Sequence, residues 1–180
     1  YSFFALYANI DGFTGREDII PYDERTFEDR WIISKLNSLI KYVGKRLDEY
    51  DPTKASRKIN AFINDDLSNW YIRLNRKRFW VGDLSEDKMM AYQTLFECLY
   101  KLSIISSPFI PFYSEKLFLN LNKFNVEDSE SVHLLEFPKS IDNLISKPLE
   151  RKMSYAQNIS SLVHSIRKKE KIKVRQPLSK

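Results

Sequence analysis

An all-α fold, a bundle of about four or five mostly antiparallel helices, follows from three observations on this sequence. Four glycines and seven prolines in 180 residues leave few turns and favour long helices. Apolar residues recur every three or four positions over long stretches, the spacing of one buried helix face. Hydrophobic residues at 43% and charged residues at 29% fit a folded chain, long enough for one domain with a real core. One short extended segment is expected near the C-terminus.

Residues 1–25 read as a short helix end and then a loop, with Asp11-Gly12 and Pro21 as turn signals. Thr26 starts a clear helix, with Glu28 and Asp29 suited to its positive N-terminus. Ile32, Leu36, Leu39, Ile40, Val43, Leu47 and Tyr50 mark its buried face. Asp51-Pro52 is a stop-and-start signal, Asp as cap and Pro at the first helical position. The next helix runs to about Trp80, with Ala55, Ile59, Phe62, Ile63, Trp70 and Leu74 inward, and a loop holds Gly82. Asp83 and Glu86 form a capping pair for a third helix, whose face is Tyr92, Leu95, Phe96, Leu99 and Leu102. Cys98 lies off that stripe and receives no chemical role. Pro108 and Pro111 break the chain, and Pro111 opens a helix ending near Asn122. Residues 123–147 are polar and irregular, except that VHLLEF (132–137) suits a short extended piece. Pro148 opens the last helix, with Leu149, Met153, Ala156, Ile159, Val163 and Ile166 at helical spacing.

Several function classes recede at once. No apolar run approaches the roughly 20 residues that span a membrane. The opening YSFFALYANIDGF has neither a basic leader nor a start methionine, and reads as a cut inside a longer protein. A single cysteine, Cys98, gives no intramolecular disulfide or cysteine-cluster metal site and sets a cytosolic default. His133 and His164 are far apart and lack evident partners. Glycines at 12, 15, 44 and 82 build no phosphate-cradling loop. Neither a catalytic centre nor a metal site is expected in these residues.

Charge is more informative. Residues 67–80 carry net +4 and residues 151–180 net +8, while 1–66 carry −2 and 81–150 carry −5. Two basic stretches on an otherwise acidic body suggest a polyanion-facing surface, if folding brings them together. In the first, NDDLSNWYIRLNRKRFW (64–80), no acid occurs after Asp66. At about 100° per residue, Asn69, Arg73, Arg76 and Trp80 share a stripe flanked by Lys77, while Trp70 and Leu74 point nearer the core. Guanidinium forks, an amide and a terminal aromatic ring suit RNA: arginines grip phosphates and a ring stacks an unpaired base. Alternatively Phe79 and Trp80 are core, with the basic residues placed at a helix C-terminus. The aromatics alone favour that second reading; Arg76, Lys77 and Arg78 favour RNA. In the second stretch, IRKKEKIKVRQPL (166–178), Arg167, Lys168 and Lys169 precede Glu170. Lys171, Lys173 and Arg175 then alternate with Ile172, Val174 and Gln176, as an extended segment would. A solvated charged tail is the alternative.

At these residues a resemblance emerges. YSFFALYANIDGF, DRWIISKLNSLI (29–40), PTKASRKINAFINDDLSNWYIRLNRKRFW (52–80), AYQTLFECLY (91–100), SPFIPFYSEKLF (107–118), SVHLLEFP (131–138) and IKVRQPL (172–178) resemble the helical anticodon-binding domain of isoleucyl-tRNA synthetases. The likeness runs in order along nearly the whole chain and looks closest to the branch shared with eukaryotic cytosolic enzymes. DRWIISKL is also similar to the valyl and leucyl relatives; NWYIRLNRKRFW followed by VRQPL is specific. The family's His-x-Gly-His motif and Lys-Met-Ser-Lys-Ser loop are missing. Lys152-Met153-Ser154 is a decoy, followed by Tyr155 and Ala156 inside an apolar stripe.

The resemblance implies the end of a catalytic-side region and linker at 1–25, the anticodon-binding domain at 26–171, and the start of a C-terminal junction at 172–180. It implies binding of the anticodon stem-loop of isoleucine tRNA by a cytoplasmic monomer. ATP and magnesium are expected only in a catalytic domain elsewhere, with no cofactor here. Asn69, Arg73, Arg76, Lys77, Arg78 and Trp80, with Arg167, Lys168, Lys169, Lys171, Lys173 and Arg175, are the expected RNA contacts. Two alternatives stand beside this: a scaffold domain whose downstream neighbours read the anticodon, and the same domain of a valyl-type enzyme.

Overall fold

The computed structural model describes residues 1–123 and 128–177. Part of the irregular stretch (124–127) and the end of the expected junction (178–180) lie outside the described residues. By contact density the chain forms two compact units, Tyr1–Ile145 and Ser146–Lys180. Among the described residues there is no β-strand, and no helix is long and apolar enough to cross a membrane.

In the first unit, α1 (Ser2–Asp11) ends at Gly12, whose φ of 73° takes the left-handed conformation that a helix stop requires. Helix α2 (Phe27–Asp48) begins as its sequence dictates: the Thr26 hydroxyl accepts the Asp29 N–H and satisfies one orphan donor. It ends in a Schellman turn, in which the Asp51 N–H reaches the Arg46 carbonyl at 2.8 Å and the Tyr50 N–H the Leu47 carbonyl at 3.0 Å. Tyr50 therefore sits at φ 56° and is 93% exposed, not part of the buried face. Asp51 then caps α3 (Pro52–Ala61), accepting the Lys54 N–H.

Helix α3 continues without a break through a π-helical segment (Phe62–Ile72) into α4 (Arg73–Trp80), so 52–80 is one rod. This changes the expected facing. Ala55, Ile59 and Phe62 are buried, but beyond them the inward residues are Leu67, Tyr71, Asn75 and Phe79. Ile63 and Trp70 are only half-buried and Leu74 is 51% exposed. Each π turn takes an extra residue, i to i+5 in place of i+4, and so rotates the face read from the α-helical pattern.

Helix α5 (Glu86–Ser106) is capped by Ser85, whose hydroxyl accepts the Lys88 N–H at 3.2 Å, and not by the Asp83–Glu86 pair. Asp83 stands two residues before the cap position and so misses the first turn. The helix packs against α1, α2, α4 and α6 (Pro111–Leu121). Enclosed on so many sides, it buries Cys98 completely and leaves Phe96 only half-buried. The core lies between α2 and α5, with Trp31, Ile32, Leu36, Tyr92 and Leu95 almost fully shielded. Each large apolar side chain there contributes about 1.5–3 kcal/mol of burial. VHLLEF is not extended throughout: Val132–Leu134 is a 3-10 turn, its Val132 N–H donating to Glu115 at 2.9 Å. A second 3-10 turn, Asp142–Leu144, packs on α2, where the Ile141 N–H donates to Asn37 at 2.9 Å.

The second unit is α7 (Lys147–Lys169) and the segment after it. Met153 is buried and Leu149 half-buried, but Ala156, Ile159, Val163 and Ile166, expected to face inward, are exposed. Among the described residues the unit holds no second helix to cover that stripe. Lys152-Met153-Ser154 lies within the helix, as a structural stripe requires.

Candidate nucleic-acid interface

The outer face of α4 is built by what its inner face buries. Phe79 is 1% exposed and packs edge-on against Tyr92 and Phe3. One residue on, Trp80 is turned out and 55% exposed. The two aromatics thus divide: Phe79 is core and Trp80 is surface. Asn69, Arg73, Arg76 and Lys77 are all exposed on the same side of the rod. The Arg76 guanidinium lies 5.8 Å from the centre of the Trp80 ring, a cation–π contact that holds both flat groups at the surface. Among the described residues, Arg73, Arg76 and Lys77 carry no ion pair. Three unneutralised cations and an aromatic plane on one helix face can grip phosphates and stack a base.

Arg78 does not belong to that face. Its two Nη atoms donate to the two carboxylate oxygens of Asp29, each at 2.9 Å. Its Nε donates to Asp87 at 3.0 Å, and further bonds reach the Asn75 side chain and the Asp87 carbonyl. The side chain is 13% exposed. Burial works against its charge, but the hydrogen bonds and charge of Asp29 more than offset it and hold the guanidinium more firmly protonated than usual. Its donors are spent inside the fold, so the expected phosphate contact at Arg78 is corrected to a structural ion pair.

Asp29 is the centre of this cluster. Fully buried, it accepts from Arg78 twice, from the Tyr71 hydroxyl at 2.5 Å and from the Thr26 hydroxyl at 2.8 Å. Four donors for two carboxylate oxygens leave no buried charge unmet. Burial, then the neighbouring Asp29 charge, pushes the Tyr71 phenol well above its ordinary range. Sequence reading placed Asp29 only as a favourable charge at a helix start. The available signal was Tyr71, Asn75 and Arg78 at i, i+4 and i+7, a polar line running into the core.

A second buried pair, also unread from sequence, fixes the far end of α4. Lys88, 1% exposed, donates to Asp11 at 2.6 Å and to the Val81 carbonyl at 2.6 Å. The Tyr92 hydroxyl also donates to Asp11. Burial first, then the Asp11 hydrogen bond and charge, pushes that phenol up.

The family model described as the anticodon-binding domain of tRNA ligase matches residues 29–180. The chain belongs to that family. Its curated relatives include the isoleucine–tRNA ligase of Cytophaga hutchinsonii, 56% identical over 181 residues, all of this chain and 16% of that protein. The enzymes of the same name from Bacteroides thetaiotaomicron and Porphyromonas gingivalis are 52% and 49% identical, each over 99% of this chain and 15% of the relative. The chain thus spans about a sixth of the length of these relatives.

In this anticodon-binding domain the other basic stretch belongs to the second unit. Lys168, Lys169, Lys171, Lys173 and Arg175 are exposed there. The alternation after Glu170 is not an extended strand. Lys171 takes φ 54° and closes a Schellman turn, in which the Ile172 N–H meets the Arg167 carbonyl at 2.8 Å. The Gln176 N–H then turns back to the Lys173 carbonyl at 3.0 Å. Arg167 donates to the carbonyls of Lys173 and Gln176, at 2.8 and 3.0 Å, and so braces this turn. Backbone groups that a partner strand would have met are satisfied by the turn and by Arg167. Among the described residues no group of three or more His, Cys, Asp or Glu is placed to hold a metal.

Proposed function

We propose that this anticodon-binding domain is part of an isoleucine–tRNA ligase and grips the anticodon stem-loop of isoleucine tRNA without itself performing chemistry. The observation that carries this reading is the exposed, unneutralised face of Arg73, Arg76, Lys77 and Trp80 on α4, continued by Asn69 in the π-helical segment before it. Arg73, Arg76 and Lys77 bind backbone phosphates and set the register of the RNA, while Trp80 or Asn69 meets an unstacked loop base. Lys168, Lys169, Lys171, Lys173 and Arg175 add a second basic ridge, with Arg167 bracing the turn that presents it. The whole enzyme joins isoleucine to its tRNA using ATP and magnesium held elsewhere, as a cytoplasmic monomer. The names of its curated relatives support isoleucine over valine.

Fluorescence anisotropy with the isoleucine tRNA anticodon hairpin, repeated across salt, tests the reading. Arg76→Glu with Lys77→Glu should weaken binding and flatten the salt dependence by about 0.7–0.9 per lost phosphate contact, with the fold intact by circular dichroism. Unchanged binding would remove α4 from the interface. A valine tRNA hairpin bound equally well would place identity reading outside these residues.

A further inference from the structure

The outward side of the rod carries more than its α4 end. Ala55 and Tyr71 are both fully buried. In an unbroken α-helix these two positions would point about 160° apart, on opposite faces. The π-helical segment between them resolves the conflict, because Phe62 and Leu67, five residues apart, both land inward. The same rotation acts on the outer side. Arg57 lies midway between inward Ala55 and Ile59, as Asn69 does between Leu67 and Tyr71, and Arg73 between Tyr71 and Asn75. Asn60 and Asn64 fill the interval, joined by hydrogen bonds of 2.9 and 3.0 Å, and all of these residues are exposed. An α-helical reading puts Arg57 and Arg73 on opposite faces; the re-phased rod aligns them.

We propose that this outward line is one continuous RNA track, with Arg57 as a further phosphate contact at the end of the rod away from Lys77. Twenty residues separate Arg57 from Lys77, about 30 Å at 1.5 Å per residue, less what the π turns take up. Among the described residues Arg57 carries no ion pair. Cations at both ends, with the Asn60 and Asn69 amides between them, fit an RNA backbone followed along its length, since amides donate to phosphate and sugar oxygens without adding charge. Asn64 spends its amide on Asn60, and the exposed Asp65 is the acid this line has to pass. The proposal rests on the α4 reading and extends it to RNA beyond the reach of α4.

The test compares Arg57→Glu, the milder Arg57→Gln, the Arg76→Glu/Lys77→Glu pair and a charge control, Lys116→Glu, an exposed residue on α6. Each is titrated with anticodon hairpins of isoleucine and valine tRNA that keep the full stem. Arg57→Glu should weaken both hairpins equally and reduce the salt slope by about one phosphate, 0.7–0.9, with Arg57→Gln showing the same trend. If Arg57→Glu and Arg57→Gln match Lys116→Glu while the α4 pair weakens binding, the track ends at α4 and the proposal fails alone. If the α4 pair has no effect either, the underlying RNA reading falls with it.

Discussion

Arg78 meets Asp29 fork to fork, both Nη atoms on both carboxylate oxygens at 2.9 Å, across forty-nine residues of sequence. This pair ties α4 to the first turn of α2 and orients the face that carries Arg76 and Lys77. A buried pair of this kind is worth little against an apolar substitute, but breaking it strands a charge. Asp29→Asn or Arg78→Ala should therefore cost about 3–5 kcal/mol in urea unfolding, far more than Arg76→Ala, which should fall within about 0.5 kcal/mol. In Arg78→Gln, which removes the charge, any loss of RNA affinity should leave the salt slope unchanged. A slope reduced by one phosphate would instead return Arg78 to the interface.

Trp80 offers an optical test. Trp31 is 1% exposed and Trp80 55%, with Trp70 half-buried, so the α4 tryptophan is the one most open to a ligand. A stacked base should quench its emission on hairpin binding, and Trp80→Ala should remove the quench. The same variant should lose about 1–3 kcal/mol of binding while unfolding as the parent does. Quenching that persists in Trp80→Ala would place the contact at Trp70.

Acid should weaken the fold through Asp11. Burial opposes its charge, but hydrogen bonds from Lys88 and Tyr92 and the Lys88 charge hold its carboxyl below the ordinary 3.8. A carboxyl lowered in the folded state adds stability that is complete above the unfolded value and is lost as pH falls through the folded one. Unfolding followed from pH 7 to pH 2 should show stability declining below about pH 4, with a shallower decline in Asp11→Asn. Glu97 acts with opposite sign: burial pushes its carboxyl up, against the attraction of Arg25 and Lys101. The difference between parent and Asp11→Asn isolates the Asp11 contribution. Equal slopes would deny it.

Much of the bundle was legible because its stop and start signals are local. Thr26 caps α2 and Asp51 caps α3, each through a bond to a residue three positions on, and Pro111 opens α6 through its fixed φ at the first helical position. What escaped reading was non-local or non-α. The i to i+5 turns after Phe62 leave no trace in a pattern scanned at one fixed period, so that pattern turns Trp70 and Leu74 inward and passes over Leu67. Asn69, Arg73, Arg76 and Trp80 are all exposed, as their spacing predicts, because they lie near the end of the rod with little π-helix between them. Arg78 reads as an exposed phosphate contact in the sequence because its partner, Asp29, is brought to it only by tertiary packing. Cys98 falls outside the single apolar stripe that sequence spacing gives α5, because that helix is enclosed by α1, α2, α3, α4 and α6.

The end of α2 supplies the last prediction. A tyrosine at φ 56° occupies the position where a Schellman turn prefers glycine. Left-handed backbone costs a residue with a Cβ about 1–2 kcal/mol. The Tyr50 ring, 93% exposed, contributes no burial in return. Glycine relieves the strain but adds freedom to the unfolded chain, which offsets part of the gain. Tyr50→Gly should thus raise unfolding free energy by about 0.5–1 kcal/mol, visible as a higher thermal midpoint. Tyr50→Ala separates the two causes, since it removes the ring and keeps the Cβ, and should leave the midpoint near that of the parent. A loss in both variants would mean that the ring itself stabilises the turn; a gain in glycine alone locates the strain in the backbone.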